Sequence, residues 1–286
     1  MTRGGTSVRT YLITGGTDGM GRGLGLHFLE RGDRVVAVAS GEAKGRAFLE
    51  AAQRIGAAER ARFLRADLST VAGMEAVAAE AEATLDRIDG LVFATQRFQQ
   101  RRTLTDDGLE YTFALSYLSR FVIGHALADR LAEAPAPVIF NLGAPGGFPG
   151  RIFWDDPHFE REPYKGMKAA TQASRAIDLL GTDFPRRHPD SRVRYVLYNP
   201  MFVKTGMAAP LPQPKRALTE AMAFLFAQRV PKAVAPMTRL IDTPPNEPVS
   251  AFRRRKRLNM ASADFNPESA ARLHDLTMEL LNRVPR

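Results

Sequence analysis

Near its beginning the chain reads Tyr11-Leu12-Ile13-Thr14-Gly15-Gly16-Thr17-Asp18-Gly19-Met20-Gly21. An apolar run of strand length passes directly into a turn with four glycines, and a helical pattern follows. Because glycine has no Cβ, the backbone of such a turn can approach a bound group closely, and a helix N-terminus attracts negative charge. The pattern predicts a dinucleotide-phosphate site, whose candidate residues are Gly15, Thr17, Asp18, Gly19, Met20 and Gly21.

Beyond this turn, strand-length apolar runs alternate with longer amphipathic patterns. The predicted strands include 8–14, 34–39, 62–66, 90–94, 137–142 and 193–198, and the predicted helices include 21–30, 42–55, 71–85 and 267–281. This alternation is typical of a parallel sheet with helices on both faces. We therefore expect an α/β chain that forms one Rossmann-type, doubly wound domain over residues 1–286, with a parallel sheet of about seven strands.

Two stretches are expected to be substrate loops. Residues 143–163 carry six glycines and prolines before Ile152 and four acidic residues after it, and a loop of this length is usually functional. Residues 200–216 end in a proline-rich segment. Between the predicted strands, Asp107 and Glu110 form a plausible capping pair for a helix that runs to about residue 131.

Composition excludes several classes of protein. The 286 residues include no cysteine, so disulfides, thiolate nucleophiles and cysteine-based zinc sites are excluded. No apolar run is long enough to span a bilayer, and the first residues lack the apolar core of a signal peptide. We expect a cytoplasmic protein with a small-molecule substrate, no membrane partner and no bound metal, and a homodimer is one option for its assembly.

The formal net charge of +9 raises nucleic acid as a partner, but the basic residues are scattered and are mostly arginine. One dense run, Arg253-Arg254-Arg255-Lys256-Arg257, is flanked by apolar Phe252 and Leu258. A charged late strand or its edge explains this run at least as well as a nucleic-acid patch does. We therefore expect no nucleic-acid partner.

Several motifs together resemble the short-chain dehydrogenase/reductase family. The spacing of Thr14-Gly15, Gly19 and Gly21 is similar to the family's glycine pattern, and Ala66-Asp67-Leu68 is similar to its adenine-contacting turn. The segments Asp107-Gly108-Leu109-Glu110 and Phe113-Ala114-Leu115 are similar to the retinol-dehydrogenase-like branch. Pro200-Met201-Phe202-Val203-Lys204-Thr205 is similar to the motif after the sixth strand. The resemblance adds Asp67, Leu68, Ala94, Pro200, Val203 and Thr205 to the expected cofactor-binding residues.

The choice between NAD and NADP depends on the end of the second predicted strand. NAD-preferring members carry a carboxylate there, which binds the ribose 2′-hydroxyl. This chain has Ser40 and, four residues later, Lys44, and a hydroxyl with a nearby cation suits a 2′-phosphate. NADP is therefore favoured, with NAD as the alternative. Ser40 and Lys44 could equally be a helix cap and a surface cation, and Asp18 opposes a bound phosphate.

The family's chemistry implies a tyrosine acid/base, a lysine that lowers its pKa, a serine and a relay asparagine. Tyr164 and Lys168 form a YxxxK pair and are the first candidates, and Ser116 occupies the place of the relay asparagine. However, Lys168 lies 32 residues before Pro200 (200 − 168), about six more than is usual for the family. That interval puts Ala170 and Ser174 in the positions of the tyrosine and the lysine.

Other family positions are also changed. Gly143 and Ala144 replace the family's serines, Gln96 replaces a glycine beside the nicotinamide ribose, and Met201 replaces another glycine. Two functions therefore remain. The first is an NADP-dependent oxidoreductase that acts on a carbonyl or an activated double bond with non-standard catalytic residues. The second is a non-redox lyase, isomerase or cyclase, or a cofactor-binding regulatory protein, built on the same fold.

Overall fold

The computed structural model describes residues 8–146, 150–201 and 230–284. One sheet contains eight strands in the order β3-β2-β1-β4-β5-β6-β7-β8. The strands are β1 (Thr10–Thr14), β2 (Arg34–Ala39), β3 (Ala61–Arg65), β4 (Gly90–Phe93), β5 (Val138–Leu142), β6 (Arg194–Asn199), β7 (Val249–Arg253) and β8 (Lys256–Arg257). Strands β1 to β7 are parallel, and the two-residue β8 pairs antiparallel with β7. The predicted α/β fold is confirmed, with a short eighth strand added.

Helices cover both faces of this sheet. They are α1 (Gly19–Glu30), α2 (Glu42–Arg54), α3 (Val71–Thr84), α4 (Tyr111–Phe113, a π-helical turn Ala114–Leu118, then Ser119–Ala126), α5 (Ala128–Ala132), α6 (Gly166–Arg187), α7 (Val230–Asp242) and α8 (Pro267–Arg283). The predicted helix that ends near residue 131 is divided at Leu127, whose backbone leaves the helical region at φ −94° and ψ 8°. Each face has its own core, because alternate side chains of a strand point to opposite sides.

The predicted capping pair separates into two different caps. Glu110 caps α4, because its carboxylate accepts hydrogen bonds from the backbone N–H groups of Thr112 and Phe113. Asp107 instead accepts a hydrogen bond from the N–H of Val71 at the beginning of α3. The sequence pattern therefore located one cap correctly and assigned the second carboxylate to the wrong helix.

The strand order reverses between β1 and β4, since β1 lies beside β2 on one side and β4 on the other. In open α/β sheets, ligands bind in the crevice outside the carboxyl ends of the strands at such a reversal. The glycine turn follows β1 at this edge. The predicted cofactor residues Val203 and Thr205 lie outside the described residues, as does most of the predicted loop 200–216.

Candidate active site

The glycine turn is pressed against the end of β4. A Cβ on Gly15, whose φ is +67°, would lie 2.8 Å from the Thr95 backbone nitrogen and 2.9 Å from the Ala94 carbonyl carbon. A Cβ on Gly21 would lie 2.4 Å from the Gly15 carbonyl oxygen. Gly19 has a positive φ of 52° as well. The backbone path therefore requires glycine, and it leaves this edge of the sheet free of side chains where a phosphate would approach.

Helix α1 begins directly after Asp18, which caps it. The Asp18 carboxylate accepts a hydrogen bond from the Gly19 N–H at 2.7 Å and pairs with the Lys44 ammonium. The hydrogen bond from Lys44 lowers the pKa of Asp18, so this carboxylate is charged at neutral pH. Its neighbours Thr17 and Met20 are buried and half-buried, respectively. Two of the predicted cofactor residues, Asp18 and Lys44, thus bind each other across the mouth of the turn.

The end of β2 carries more cations than carboxylates. Ser40 is exposed there, and Glu42 pairs with Arg46 at 2.7 Å and with Arg65 at 3.2 Å. With Lys44, three cations face two carboxylates, those of Asp18 and Glu42. All of these pairs are solvent-exposed and are individually worth no more than about 1 kcal/mol.

The turn after β3 brings Asp67 and Leu68 to the same edge of the sheet. One oxygen of the Asp67 carboxylate accepts hydrogen bonds from the Ser69 N–H at 2.9 Å and the Ser69 hydroxyl at 2.8 Å. Leu68 is buried in the core. Ala94, at the end of β4, donates its N–H to the Thr14 carbonyl at 3.0 Å. At this edge of the sheet, the predicted cofactor residues Asp67, Leu68 and Ala94 therefore offer backbone and apolar groups more than free polar side chains.

Tyr164 and Lys168 have separate partners. The Tyr164 hydroxyl donates to the Glu110 carboxylate at 3.1 Å, and the Lys168 ammonium lies 3.2 Å from the Glu162 carboxylate. Burial raises the pKa of Tyr164 to about 12, and Glu110 adds to that shift. Within the described residues, no hydrogen bond joins Tyr164 to Lys168. The pair therefore lacks the coupling by which a lysine lowers the pKa of a phenol.

Ala170 and Ser174 lie one helical turn apart on α6, and both side chains are half-buried. The Ser174 hydroxyl donates to the Ala144 carbonyl at 3.4 Å. This contact places α6 against the segment after β5, with Ser174 across from Ala144 as the interval to Pro200 predicts. The register predicted from the interval to Pro200 puts a methyl and a hydroxyl where the resemblance implies a phenol and an ammonium.

A buried arginine lies under the strand ends, and the sequence analysis did not identify it. Arg120 on α4 is only 1% exposed. Its guanidinium donates to the carbonyls of Thr95 at 2.9 Å, Leu142 at 3.3 Å and Ser116. It also donates to the Asn141 side-chain oxygen at 2.9 Å. Burial lowers the pKa of Arg120 to about 10, so it is still charged at neutral pH, and no carboxylate pairs with it in the described structure.

Asn141 extends this network to Tyr195, which lies in the same core as the apolar residues of α4. Its amide nitrogen donates to the Tyr195 hydroxyl at 3.0 Å, while its amide oxygen accepts from Arg120. The arginine therefore ties together the ends of β4 and β5 and the π-helical turn of α4. The available sequence signal was a single arginine inside the helical stretch 113–123, which contains no other charged residue.

Two buried hydroxyls beside this arginine have no hydrogen-bond partner among the described residues, those of Ser116 and Thr95. Both residues give their backbone carbonyl to Arg120, so they are neighbours. Unpaired buried polar atoms are costly and mark places where a ligand can bind. Together with the glycine cradle of Gly15 and Gly21, these hydroxyls fit a dinucleotide whose phosphates approach the turn and whose other end lies over β4 and β5.

A separate cavity of ≈750 Å³ lies beside the predicted loop 143–163, between that loop, α6 and the residues before α8. None of the predicted cofactor residues lines it. His158 in this loop accepts a hydrogen bond from the Glu110 N–H at 3.3 Å, so it is a structural residue. No cluster of three or more histidine or acidic side chains suited to a metal is found in the described part of the chain. In the same part, every helix is too short or too polar to cross a bilayer.

Comparison with known proteins supplies a family for this arrangement. The model of the family described as short chain dehydrogenase matches residues 9–216. DnrU of Streptomyces sp. (strain C5), named as a candidate daunorubicin C-13 ketoreductase, is 31% identical over 203 residues, which are 71% of this chain and 68% of that protein. Retinol dehydrogenase 13 of Mus musculus is 25% identical over 200 residues, 70% of this chain and 60% of that protein.

The fold is shared with solved structures of low sequence identity. A short-chain dehydrogenase from Sphingobium yanoikuyae, solved in complex with NADPH, superimposes with a TM-score of 0.61 at 19% identity. That comparison covers 98% of this chain and 97% of the other. The sequence alignments with the two relatives, by contrast, reach only 60% to 68% of their length.

Proposed function

The chain belongs to the short-chain dehydrogenase/reductase family, in its retinol-dehydrogenase-like branch, and on this premise we propose that it is an NADP-dependent oxidoreductase. Its substrate is a small molecule with a carbonyl or an activated double bond. The observation that supports this function best is the glycine cradle between β1 and β4, where Gly15 and Gly21 leave no room for a Cβ. A glycine turn at the point where the strand order reverses is where this kind of fold binds the pyrophosphate of a dinucleotide.

NADP is preferred to NAD because the end of β2 presents a local excess of cations. Lys44 is held there by Asp18 in an exposed ion pair that a 2′-phosphate can replace, since such a pair contributes about 1 kcal/mol or less. Ser40 is exposed beside it and offers a hydroxyl donor. The neighbour solved with NADPH supports a nicotinamide cofactor on this fold.

When bound, NADPH supplies the hydride, and the chain's own residues orient the acceptor. The Ser116 and Thr95 hydroxyls are the two free donors for a substrate oxygen. Arg120 holds their backbone in place and puts a positive charge beneath that oxygen, which favours a developing negative charge. In this scheme Ser116 is a catalytic residue and Arg120 is a positioning residue.

Tyr164 is a weak proton donor in this scheme. With a pKa raised to about 12 it keeps its proton at neutral pH, and Glu110 already accepts the hydrogen bond of that proton. Lys168 is held by Glu162 and cannot lower that pKa. Carbonyl reduction is therefore slow, because a well-matched proton donor contributes roughly 10²- to 10⁴-fold to the rate.

The decisive experiment restores the missing pair. The double variant Ala170→Tyr with Ser174→Lys should speed carbonyl reduction by at least about tenfold, because both positions are half-buried and Ser174 contacts the segment after β5. Its matched counterpart, Tyr164→Phe with Lys168→Ala, should change the rate by less than about tenfold. A loss of several orders of magnitude in that counterpart, with fold and NADPH binding intact, would show that Tyr164 and Lys168 are the working pair.

A second candidate function is non-redox catalysis or cofactor-dependent regulation. One sequence feature favours it: the interval from Lys168 to Pro200 assigns Ala170 and Ser174, a methyl and a hydroxyl, to the acid/base positions of the family. Under this alternative the nucleotide binds and orients a partner without being consumed. The restored double variant separates the two functions, since only an oxidoreductase would gain NADPH consumption from it.

For the setting of this activity we propose a cytoplasmic protein whose partner is a small-molecule substrate rather than nucleic acid or membrane. The loops 143–163 and 200–216 are proposed to cover that substrate. We further propose a homodimer, which sedimentation of the purified chain would distinguish from a monomer.

A further inference from the structure

The basic run near the end of the chain forms one wall of a groove. Strand β7 turns back at Arg254 and Arg255 into β8, with Arg253 paired with Lys256. The facing wall is α7, from which Lys232 and Arg239 project, seven residues apart on one face of the helix. The groove has a volume of ≈720 Å³, and Tyr198, Phe252, Leu240 and Pro236 contribute apolar surface to it.

The cations of this groove lack partners. Its lining includes six basic residues and no carboxylate: Lys232, Arg239, Arg253, Arg254, Arg255 and Lys256. Arg253 donates to the Gly146 carbonyl, and the other five side chains have neither an ion pair nor a hydrogen bond within the described residues. Elsewhere on the described surface, arginines such as Arg46, Arg62 and Arg130 pair with nearby carboxylates. Five cations without a partner among the described residues therefore line one concave place.

The hairpin keeps an arginine at a position that suits glycine. Arg254 has a φ of +54°, and its N–H donates to the Asn199 carbonyl at 2.8 Å. A two-residue hairpin loop normally places glycine or asparagine at such a position, because a side chain in this region is strained. Strain of this kind is concentrated at functional sites, where another gain offsets it.

Among the described residues, no carboxylate lines this groove. The acidic residues close to its lining in sequence have other partners, since Asp242 pairs with Arg9 and Arg31 and Glu247 pairs with Arg257. The described part of the chain therefore leaves the charge of these cations unneutralised.

We infer that this groove is a binding site for a compact molecule with two or more phosphate groups. Its volume is within the range of small-molecule sites, about 300–1,000 Å³. Cations on two facing walls can surround such a ligand, whereas a flat bilayer or a rigid duplex would reach only the rims. Arginine forks on the hairpin suit phosphate oxygens, and the apolar floor suits the carbon part of an organic phosphate.

None of the groove's lining residues belongs to the glycine turn or to the ends of β2 and β3, whereas Pro200, a predicted cofactor residue, is among them. The inference does not depend on the proposed oxidoreductase activity, because it rests on the charges and the shape of the groove. Ligand binding can therefore be measured without any turnover.

The test is calorimetric titration of the full chain with inorganic tripolyphosphate and with orthophosphate, in the absence and presence of saturating NADPH. We expect one tripolyphosphate to bind per chain, orthophosphate to bind at least about tenfold more weakly, and NADPH to leave both results unchanged. Arg239→Gln should weaken tripolyphosphate binding by at least about tenfold, since a charge-assisted hydrogen bond contributes about that much. The control Arg283→Gln, an exposed arginine on α8 that pairs with Glu279, should change it less than twofold, as expected for an exposed pair.

Arg254→Gly is a second variant, and the result expected for it is not one that a purely structural role of Arg254 would give. It relieves the positive φ and should raise Tm by about 2 °C or more, while tripolyphosphate binding falls at least about tenfold. Displacement of tripolyphosphate by NADPH would overturn the inference, because it would locate the phosphates in the cofactor crevice. Equal losses in the Arg239 and Arg283 variants would overturn it too. A third result would also overturn it: tripolyphosphate does not bind, whereas phosphatidylserine vesicles or a short DNA duplex bind in a way that requires Arg254.

Discussion

Replacing Arg120 by methionine tests whether one buried guanidinium holds the candidate active site together. Methionine has a similar length and no charge, so it fills much of the same space. The change removes the guanidinium donors that now serve the carbonyls of Ser116, Thr95 and Leu142 and the Asn141 side chain. All four acceptors belong to the ends of β4 and β5 or to α4, around the crevice.

The size of the effect follows from two opposing contributions. A buried acceptor that loses its donor costs about 1–3 kcal/mol, and four acceptors are involved here. Against this, burial lowers the pKa of Arg120 to about 10, which corresponds to an unfavourable desolvation of about 3 kcal/mol that methionine avoids. The lost hydrogen bonds dominate. We expect Arg120→Met to lower the free energy of unfolding by about 3–5 kcal/mol, the range for disrupting a buried charged group.

Urea unfolding at pH 7, followed by circular dichroism, measures this loss as a shift of the midpoint at constant slope. The control is Arg62→Met, because Arg62 is exposed and pairs with Glu80 at the surface; its loss should be below about 1 kcal/mol. Arg120→Lys should be intermediate, since an ammonium keeps the charge but cannot reach four acceptors in the geometry of a guanidinium. A loss below about 1 kcal/mol for Arg120→Met would refute the reasoning.

Three further predictions concern the cofactor turn and the effect of pH. Gly21→Ala should abolish calorimetric binding of NADPH, because its Cβ would lie 2.4 Å from the Gly15 carbonyl oxygen; unchanged affinity would contradict the cradle. Lys44→Ala should weaken NADPH binding about three- to tenfold and leave NADH binding unchanged, and an equal effect on both would remove Lys44 from the 2′-phosphate site. Burial lowers the pKa of His125 to about 3, so as pH falls the unfolded chain binds a proton at this histidine before the folded chain does. The free energy of unfolding should therefore decrease as pH drops from about 6.5 towards 3, by up to about 1.4 kcal/mol per pH unit. Burial raises the pKa of Asp178 to about 7, and the proton bound there opposes this pH dependence. The measurement is therefore the change in urea midpoint between pH 7 and pH 5 for the wild type, compared with the same change for His125→Leu. Equal changes in the two proteins would contradict the prediction.

Most of the fold could be predicted because its signals are local. Strand β2 has the predicted bounds, 34–39, and helix α2 ends one residue before the predicted end. The apolar run of β1 and its glycine turn depend on neighbouring residues alone. The eighth strand was not predicted as such, since its two residues are basic and are defined by pairing with β7 rather than by their own pattern.

The candidate site was less accessible from sequence because its contacts join distant segments. Asp107 caps α3, which begins 36 residues earlier, so its proximity to Glu110 in sequence was misleading. Arg120 binds residues 21 to 25 positions away, and only the fold brings these acceptors together. The carboxylate partners of Tyr164 and Lys168 were likewise invisible in the YxxxK pattern.

The groove beside α7 is a second feature of which the sequence showed only one part. The run Arg253–Arg257 was visible in the sequence, and its interpretation as a late strand or strand edge agrees with β7 and β8. What the sequence could not provide is the second wall, because Lys232 and Arg239 come from a helix that packs nearby only in the folded chain. The number of cations in one stretch of sequence therefore underestimates the number that the fold brings together.

Transfer of deuterium tests the central proposal most directly. The purified chain is incubated with a panel of ketones and activated alkenes and with NADPH that carries deuterium at the hydride position. Mass spectrometry then measures the masses of the products. We expect at least one reduced product that carries one deuterium, formed slowly by the wild type, faster by the Ala170→Tyr, Ser174→Lys variant, and not by Gly21→Ala. Products that form without deuterium and without loss of NADPH, or no faster reduction in the restored variant, would contradict the proposal that this chain is an oxidoreductase lacking the family's tyrosine and lysine pair.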